Sequence, residues 1–351
     1  MSAVARRLLL VNAFDAHAGS QRVGQSIVTS LWRAGFDVAV KLGFGGRGFL
    51  SELPGIVPDV HCNHVPTRKL LYPFWVFTAL TPIAWAAGRG RIIWANSVYA
   101  IAPALLAILL FPHRTVVHLH EASFPLAIRL LLRLAVWRGS AIVCVSVDQA
   151  RRIDIDAHIL PNAVVLPTVD PPSGGNRLLF VGTTHPIKGF QLFVSVCERL
   201  RHVPLQAVAY LSDAAVHEQE LVARARTAGI SVFFGERSPA AMYRDGFLLL
   251  MSSDARLVSE TFSLVAAEAV AWLVPVGGAG AAVLPEVLGD ALAFNEPSRD
   301  PDRIANAIAD LQGDPERQVA LRHACEARRP HFSETEFVDR IVGLLQNLQA
   351  R

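Results

Sequence analysis

The chain has 351 residues, which is too long for one typical domain and fits two domains of roughly 150 to 180 residues each. Its net charge of +3 hides an uneven distribution, because residues 1–165 carry 16 Lys and Arg against 8 Asp and Glu, whereas residues 166–351 carry 17 against 22. The sequence contains no basic stripe interleaved with aromatic residues, so nothing in it favours nucleic acid as a partner. A basic, apolar first half suits an anionic membrane surface or a lipid-linked acceptor.

Apolar strand-like runs alternate with helical patterns in both halves, and a break rich in Pro and Gly separates the halves. This alternation predicts two α/β domains with parallel sheets, residues 1–166 and 177–333, joined by a linker at 167–176 and followed by a final helix in 334–351. The predicted strands of the first half are Leu8–Asn12, Asp37–Lys41, Arg91–Ala95, Thr115–His118 and Ala141–Val145, with a helix at about Arg22–Ala34, and the second half begins with a strand at Arg177–Val181.

Two uncharged runs, 70–88 and 92–112, are long enough to span a bilayer, and 52% of the chain is hydrophobic. Pro73 and Pro82 interrupt the first run, and Asn96–Ser97 interrupts the second after a predicted strand. We therefore interpret both runs as strands and buried helices rather than as membrane spans.

The four cysteines are far apart and form no C-x-x-C pair, so the sequence predicts neither a zinc site nor a disulfide framework. At the N-terminus the apolar run Leu8–Val11 is too short for the core of a signal peptide. We interpret the protein as cytoplasmic.

Two glycine-containing segments follow predicted strands of the first half. Residues 18–23 (AGSQRV) follow the first strand and open a helix, so the backbone N–H groups around Gly19 can approach a diphosphate. Residues 43–48 (GFGGRG) fit G-x-G-x-x-G, but they follow the second strand and run into Leu53-Pro54-Gly55. We interpret this second segment as an ordinary loop and not as an NAD site.

Two further motifs could suggest metal binding. His118 and His120 close a strand at the carboxyl edge of the predicted sheet, where open α/β sheets bind ligands, but no third metal ligand accompanies them. His120 is therefore either a residue that contacts a ligand or a histidine satisfied at a strand end. Asp154-Ile155-Asp156 has no supporting ligands either and is interpreted as a solvated helix end. We assign no metal.

The second half carries a lysine in a loop between a strand and a helix, in the segment Leu179–Gly189. Lys188 can neutralise a diphosphate that departs with negative charge, and the alternative is a solvated surface lysine.

Glu260 and Glu268 are the only charged side chains in the segment Glu260–Val274. A helix that is apolar on every face is normally buried, and a buried carboxylate is costly unless hydroxyls, amides or a cation satisfy it. Glu260 precedes the helix, where Thr261 or Ser263 can act as N-cap and the first amide groups face the same space. The arrangement suits a phosphate flanked by two sets of hydroxyl groups, as in a sugar nucleotide.

The spacing of these glutamates carries a resemblance to a known family. SETFSLVAAEAVAWLVPV, followed by GGAGAAVLPEVLGD, resembles the E-x7-E and Gly-rich segment of retaining family-4 glycosyltransferases. The resemblance covers nearly the whole chain, since VVHLHEASF, AGSQRV and the Lys188-Gly189 segment also have counterparts. It implies the GT-B fold, in which two Rossmann-like α/β domains with parallel sheets face a cleft, and in which the final helix packs back on the first domain.

The resemblance also implies an activity and its residues. The first domain would bind a glycan or lipid-linked acceptor and the second a nucleoside-diphosphate sugar, with no cofactor and no metal, in cell-surface polysaccharide or glycolipid synthesis at the cytoplasmic, inner face of the membrane. The chemistry would pass through an oxocarbenium-like transition state. The implied catalytic residues are His120, Lys188 and Glu260; the implied donor-binding residues are Gly19, Gly182, Thr183, Lys188, Glu260, Phe262, Ser263, Leu264, Val265 and Glu268, with Glu268 on the ribose.

The sequence departs from the family pattern at Ala18, Thr183, Ser263 and Leu273. Thr183 stands where an arginine is usual, so half of the expected cationic clamp on the diphosphate is missing, and Arg256 or His185 is a candidate to replace it. Three alternatives remain: a non-catalytic sugar-nucleotide-binding protein, a GT-B sugar-nucleotide epimerase, and a membrane-embedded scaffold in which the two uncharged runs would be true spans.

Overall fold

The structure, a computed structural model of the chain, describes residues 7–17, 19–62, 64–169, 171, 175–212, 219–235, 237–257 and 260–349. It divides into two compact units, residues 1–163 with 334–351 and residues 164–333. Ala18 and parts of the predicted linker and of the end of the final helix lie outside the described residues.

The first unit is built on a parallel sheet with the strand order β3-β2-β1-β4-β5-β6-β7. Its central strands are mostly apolar and are buried on both faces, as expected where helices cover both sides of a parallel sheet. The strands are β1 (Arg7–Phe14), β2 (Asp37–Gly45), β3 (Val60–His61), β4 (Ile92–Asn96), β5 (Thr115–Leu119), β6 (Ala141–Cys144) and β7 (His158–Ile159), and the helices between them are α1 (Gly19–Arg33), α2 (Val65–Gly88), α3 (Leu105–Leu110), α4 (Leu126–Arg138) and α5 (Val147–Ile153).

The second unit has a parallel sheet with the strand order β10-β9-β8-β11-β12-β13. Its strands are β8 (Arg177–Gly182), β9 (Gln206–Leu211), β10 (Ser231–Phe234), β11 (Gly246–Met251), β12 (Val276–Gly278) and β13 (Leu292–Asn295), and its helices are α6 (Phe190–Arg199), α7 (Gln219–Thr227), α8 (Pro239–Tyr243), α9 (Leu264–Ala271), α10 (Leu284–Leu288), α11 (Pro301–Gln312) and α12 (Pro315–Arg328). The two α/β domains with parallel sheets that the sequence predicts are confirmed.

The last helix, α13 (Glu334–Gln349), belongs to the first unit, where it contacts α1. Arg33 at the end of α1 forms an ion pair with Glu334 at the start of α13. The second unit begins and ends side by side, because the Val164 N–H donates to the Phe332 carbonyl at 2.9 Å. The first unit is therefore made from both ends of the chain.

Helix α2 corrects the interpretation of the first uncharged run. Pro73 and Pro82 do not interrupt it, since the helix is continuous over 24 residues and is long and apolar enough to cross a membrane by length and composition. Both prolines and the residues four positions earlier, Lys69 and Thr78, are exposed, so the carbonyl groups that lose an N–H partner lie on the side open to solvent. The second run, 92–112, is divided among β4, a 3₁₀ turn and α3.

The G-x-G-x-x-G segment has a packing role, which supports its interpretation as structural. Gly43 and Gly45 belong to β2 itself. A Cβ at Gly45 or Gly48 would lie 2.6 Å from the side chain of the buried Asp15, whose carboxylate accepts the Ser51 N–H at 2.9 Å. Small residues are required here because Asp15 organises the loop after β2.

Candidate active site

The strands β8 and β11 lie side by side at the centre of the second sheet, although two strands separate them in the chain. Such a reversal of strand order opens a crevice at the carboxyl ends of the strands, where open α/β sheets bind ligands. The segment after β8 carries Thr183 and Lys188, and the segment after β11 carries Ser253 and Glu260. Most of the residues predicted to bind the donor thus come from two chain segments that meet at this switch point.

Lys188 and Glu260 form an ion pair, with Nζ and Oε1 2.8 Å apart. The Ser253 hydroxyl donates to the same carboxylate oxygen at 3.1 Å. The Lys188 side chain is 39% exposed and that of Glu260 16%. Because an ammonium has three donors and a carboxylate about four acceptor sites, both groups keep bonding capacity for a ligand.

Close backbone packing fixes the position of Lys188. Gly189 has φ +71°, and a Cβ there would lie 1.9 Å from the Ser252 carbonyl oxygen. The Ser252 hydroxyl donates to the Lys188 carbonyl at 3.2 Å, and the Asp254 N–H donates to the Ile187 carbonyl at 2.8 Å. Only glycine allows the two loops to approach this closely.

Of the two candidates to replace the missing arginine, His185 has a local role. Its Nδ1 accepts the Ile187 N–H at 3.3 Å, and the Thr183 hydroxyl oxygen accepts the His185 N–H at the same distance. The side chains of Thr183 and His185 thus shape the loop that presents Lys188.

Two charged residues beside this site, Asp254 and Arg299, were missed by sequence reasoning, whereas Arg256 was the other candidate to replace the missing arginine. Asp254 pairs with Arg256 at 2.7 Å, and Arg299, largely buried, donates to the Ser253 carbonyl at 2.7 Å. The hydrogen bond from Arg256 holds the pKa of the Asp254 carboxyl well below its usual range, and burial lowers the pKa of Arg299. Arg256 itself is mostly exposed. The positive φ of Arg299, +55°, is visible only in the structure.

Helix α9 begins at the same edge. The Ser263 hydroxyl oxygen accepts the Ala266 N–H at 3.2 Å, so Ser263 is the N-cap, and the amide groups of Leu264 and Val265 lie in the first turn, where intrahelical acceptors are lacking. Phe262 is buried and packs edge-on against Phe332, so its side chain stabilises the core of the unit.

Glu268 is 2% exposed, as the apolar surroundings of its segment predict. The Tyr243 hydroxyl donates to its Oε2 at 3.3 Å and lies 3.3 Å from the Val265 carbonyl oxygen. The polar partner that a buried carboxylate requires is therefore supplied in part by α8.

The switch point of the first sheet lies between β1 and β4, and its carboxyl edge carries a network of neutral side chains. The amide nitrogen of Asn96 donates to Asn12 Oδ1 at 2.9 Å and to the Ser20 carbonyl at 3.1 Å. The Oδ1 of Asn96 therefore accepts from His120 Nε2, at 2.8 Å. This network joins the strand end that carries His120 to the start of α1, where Gly19 lies.

Burial disfavours the protonated forms of both histidines. Trp94 Nε1 donates to His118 Nδ1 at 3.3 Å, a contact that a protonated nitrogen could not accept. Burial lowers the pKa of His120 to about 4 against the opposing effect of Glu121, and burial lowers the pKa of His118 well below its usual range. The two rings pack at 4.3 Å between centroids. Neutral imidazoles can donate to and accept from hydroxyl groups.

No group of three or more His, Cys, Asp or Glu residues within the described part of the chain is arranged to hold a metal ion. Asp154 ends α5 in a left-handed conformation, with φ +54°, which agrees with its interpretation as a helix end.

Comparison with known proteins identifies the fold. Residues 175–314 match the family model of glycosyl transferases group 1, whereas no curated protein matches the sequence. HepE of Anabaena, solved in complex with UDP and glucose, is similar over 97% of this chain and 99% of its own, with a TM-score of 0.72 and 17% sequence identity. The chain has the GT-B fold.

Two further GT-B structures are similar over almost their full length. A glycosyltransferase from Rickettsia africae has a TM-score of 0.73 and 16% identity, covering 98% of this chain and 99% of its own. Sucrose-phosphate synthase from Thermosynechococcus elongatus has a TM-score of 0.72 and 15% identity, covering 98% of this chain and 100% of its own. At these identities the likeness concerns the fold of the chain.

Proposed function

We propose that this protein is a retaining glycosyltransferase that moves a sugar from a nucleoside-diphosphate sugar to a glycan or lipid-linked acceptor. The observation that carries the proposal is the Lys188–Glu260 pair at the switch point of the second sheet, next to the first turn of α9. A cation and free helix amides suit a diphosphate, and a carboxylate beside them suits sugar hydroxyls. The UDP complexes of HepE and the match to glycosyl transferases group 1 support this assignment.

In this proposal the leaving diphosphate is stabilised by Lys188 and by the amide groups near Ser263, Leu264 and Val265. The glycosidic C–O bond breaks with its electron pair on the diphosphate oxygen, and the lysine charge is most valuable in the transition state, when that oxygen becomes negative. The acceptor hydroxyl oxygen forms the new bond on the same face of the sugar, and its proton passes to the departing phosphate oxygen.

The other predicted residues bind and orient the reactants. Glu268 accepts hydrogen bonds from the ribose hydroxyls, Glu260 contacts the donor sugar, and His120 contacts the sugar or the acceptor. The backbone comes close to the donor at four residues: Gly19, Gly182, Thr183 and Phe262. We propose that lysine and backbone donors supply the positive field without a metal ion or cofactor, and that turnover therefore persists in a chelator.

The acceptor is proposed to be a glycan or lipid-linked sugar used in cell-surface polysaccharide or glycolipid synthesis, at the cytoplasmic, inner face of the membrane. The basic, apolar composition of the first half of the chain supports an acceptor of this kind.

A donor screen tests the proposal. The protein is incubated with UDP-, GDP- and ADP-sugars, with and without acceptor glycans, and the release of nucleoside diphosphate and the anomeric configuration of the product are measured. Transfer with retention is expected for one donor. Binding without release would instead indicate a non-catalytic sugar-nucleotide-binding protein, and conversion of the sugar without an acceptor would indicate an epimerase.

A further inference from the structure

Helix α2 has two apolar faces, and only one of them is covered. Trp75, Ala79, Ile83 and Ala87 are buried in the core of the first unit. On the opposite face four large side chains at helical spacing are strongly exposed: Leu70 (79%), Phe74 (70%), Phe77 (75%) and Trp85 (64%). An exposed apolar stripe of this kind on a folded domain indicates an interaction surface.

The stripe continues onto the neighbouring helices. Helix α2 contacts α3, α3 contacts α4, and all three contribute to one core on the same side of the first sheet. We call their outward surface the apolar helix layer, and its exposed large side chains are Val65, Leu70, Phe74, Phe77, Trp85, Leu110, Leu126, Leu130, Val136 and Trp137.

Charge identifies the kind of partner. The segment 64–138 contains eight Lys and Arg and a single acidic residue, Glu121, which accepts a hydrogen bond from the Ser97 hydroxyl at 2.8 Å. Lys69, Arg89, Arg129 and Arg133 are exposed on the helices or at their ends. The layer is therefore apolar and positively charged.

Each of the two exposed tryptophans is paired with an arginine at the end of its helix. The guanidinium of Arg89 lies 4.7 Å from the ring of Trp85, and that of Arg138 lies 5.6 Å from the ring of Trp137. Tryptophan and arginine side chains of this kind are typical of the headgroup region, where the apolar part meets lipid and the charge remains in water.

We propose that the apolar helix layer is a docking surface for an anionic lipid bilayer, on which α2 and α4 lie flat. Phe74, Phe77 and the leucines enter the boundary of the acyl chains, and the basic side chains contact lipid phosphates.

Helix α2 does not span the bilayer, because the removal of Trp75, Ile83 and Ala87 from the core would expose the face of the sheet that they cover. A second copy of the chain is a poorer partner, because a symmetric contact would bring like charges together.

The layer reaches the edge of the sheet that carries His120. The Tyr72 hydroxyl of α2 donates to the Tyr99 carbonyl at 2.7 Å, and the Tyr99 ring packs against Phe14 at the end of β1. Tyr99 belongs to a 3₁₀ turn that contacts β1, β4 and β5. If the proposed function is right, an acceptor held in the bilayer would meet the first unit beside this edge, so docking presents a lipid-linked acceptor to the site.

Vesicle sedimentation tests the surface. We expect the full chain to bind vesicles of phosphatidylglycerol and phosphatidylcholine in equal amounts, to bind pure phosphatidylcholine much more weakly, and to be released by alkaline carbonate. Phe74→Ser with Phe77→Ser should weaken binding to the anionic vesicles by about tenfold or more, because two large apolar groups are lost from the lipid contact. Arg129→Glu with Arg133→Glu should weaken it by about tenfold or more at low salt.

The second unit supplies matched controls. Val319→Ser removes an exposed hydrophobic side chain, and Arg201→Glu with Arg226→Glu reverses two exposed arginines. Both controls should bind the vesicles like the unchanged protein. The Phe74 and Phe77 side chains are exposed, so thermal unfolding of that variant should match the unchanged protein.

Several results would overturn the proposal: no binding to anionic vesicles, equal binding by the Phe74/Phe77 variant, or resistance to carbonate, which would make α2 a span. A dimer in analytical ultracentrifugation that dissociates in the Phe74/Phe77 variant, with no vesicle binding, would assign the layer to a second copy. Calorimetry with nucleoside diphosphates separates this proposal from the enzymatic one, since failure of the donor site would leave vesicle binding unchanged.

Discussion

The carboxyl edge of the first sheet carries mostly neutral polar side chains (Asn12, Asn96, His118 and His120), with one carboxylate, Glu121, bound to the Ser97 hydroxyl and the His120 N–H. The corresponding edge of the second sheet carries the charged side chains of Lys188, Glu260, Asp254 and Arg299. Both sheets are parallel and reverse their strand order at the same point of their topology. The topology therefore opens a crevice at the same place in both units, and the side chains around the two crevices differ in charge. Full charges suit a diphosphate, and neutral donors and acceptors suit hydroxyl groups.

The largest expected effect comes from removing a charged side chain at the carboxyl edge of the second sheet. Lys188→Ala should lower kcat by about a hundredfold or more, with a smaller effect on donor binding, because the lysine charge is needed most as the diphosphate leaves. Steady-state kinetics with the donor found in the screen measure this. Lys41→Ala, which removes a lysine paired with Asp59 at 2.7 Å in the first unit, is the matched control and should keep kcat. An unchanged kcat with a raised KM would mean that Lys188 only binds the donor.

The geometry of the charged edge depends on Gly189. Gly189→Ala should lower the free energy of unfolding by more than about 2 kcal/mol, because a positive φ and the Ser252 carbonyl both oppose a side chain. The control is Gly229→Ala, at φ +84° with no neighbour within 4 Å, where only the backbone strain remains. Urea unfolding of both variants gives the comparison, and equal losses would remove the role of the Ser252 contact.

The carboxylate of Glu268 can be tested apart from its structural partner. Glu268→Ala should abolish measurable donor binding or weaken it by about 1 to 3 kcal/mol, because the ribose hydroxyls would lose a charged acceptor in a dry pocket. Calorimetry with the matching nucleoside diphosphate measures the loss. Tyr243→Phe, which removes only the hydroxyl 3.3 Å from Glu268, should keep most of the affinity. Unchanged affinity in the Glu268 variant would contradict the ribose role.

The smallest expected effect concerns the two histidines at the carboxyl edge of the first sheet. The pKa values of His118 and His120 are lowered in the folded state, so below the usual pKa of 6.5 the unfolded chain binds more protons and stability falls as the pH falls towards about 4. Between about pH 4 and 6.5, His118→Phe should make the free energy of unfolding fall less steeply with falling pH, by up to about 1.4 kcal/mol per pH unit. Above about pH 6.5 the dependence on pH should be unchanged. Urea unfolding from pH 4 to 8 measures the slopes, with the exposed His202→Phe as control. Equal slopes for both variants would mean that His118 is not held neutral.

Much of the fold could be predicted because strand periodicity and burial are local properties of the sequence. The predicted strands at Asp37, Thr115, Ala141 and Arg177 begin where the structure begins them. Helix α2 was misjudged because the exposure of Pro73 and its neighbours depends on which helix face meets the sheet, and no local pattern gives that.

The candidate site was only partly predictable for a similar reason. The burial of Glu268 follows from its apolar neighbours, but its partner Tyr243 comes from a different helix 25 positions earlier. Lys188 and Glu260 were each assigned to the donor, whereas their ion pair, across 72 positions, follows from the strand order. Arg299 and Asp254 carried no motif at all.

The division of the first unit between the two ends of the chain has a consequence for biosynthesis. Phe337, Ile341 and Leu345 of α13 are buried, and they leave the ribosome after all of the second unit. The second unit, whose ends meet at Val164 and Phe332, can complete its core while the first still lacks its last helix. A nascent chain therefore passes through a stage in which the N-terminal sheet of the first unit has been synthesised but still lacks the packing of α13.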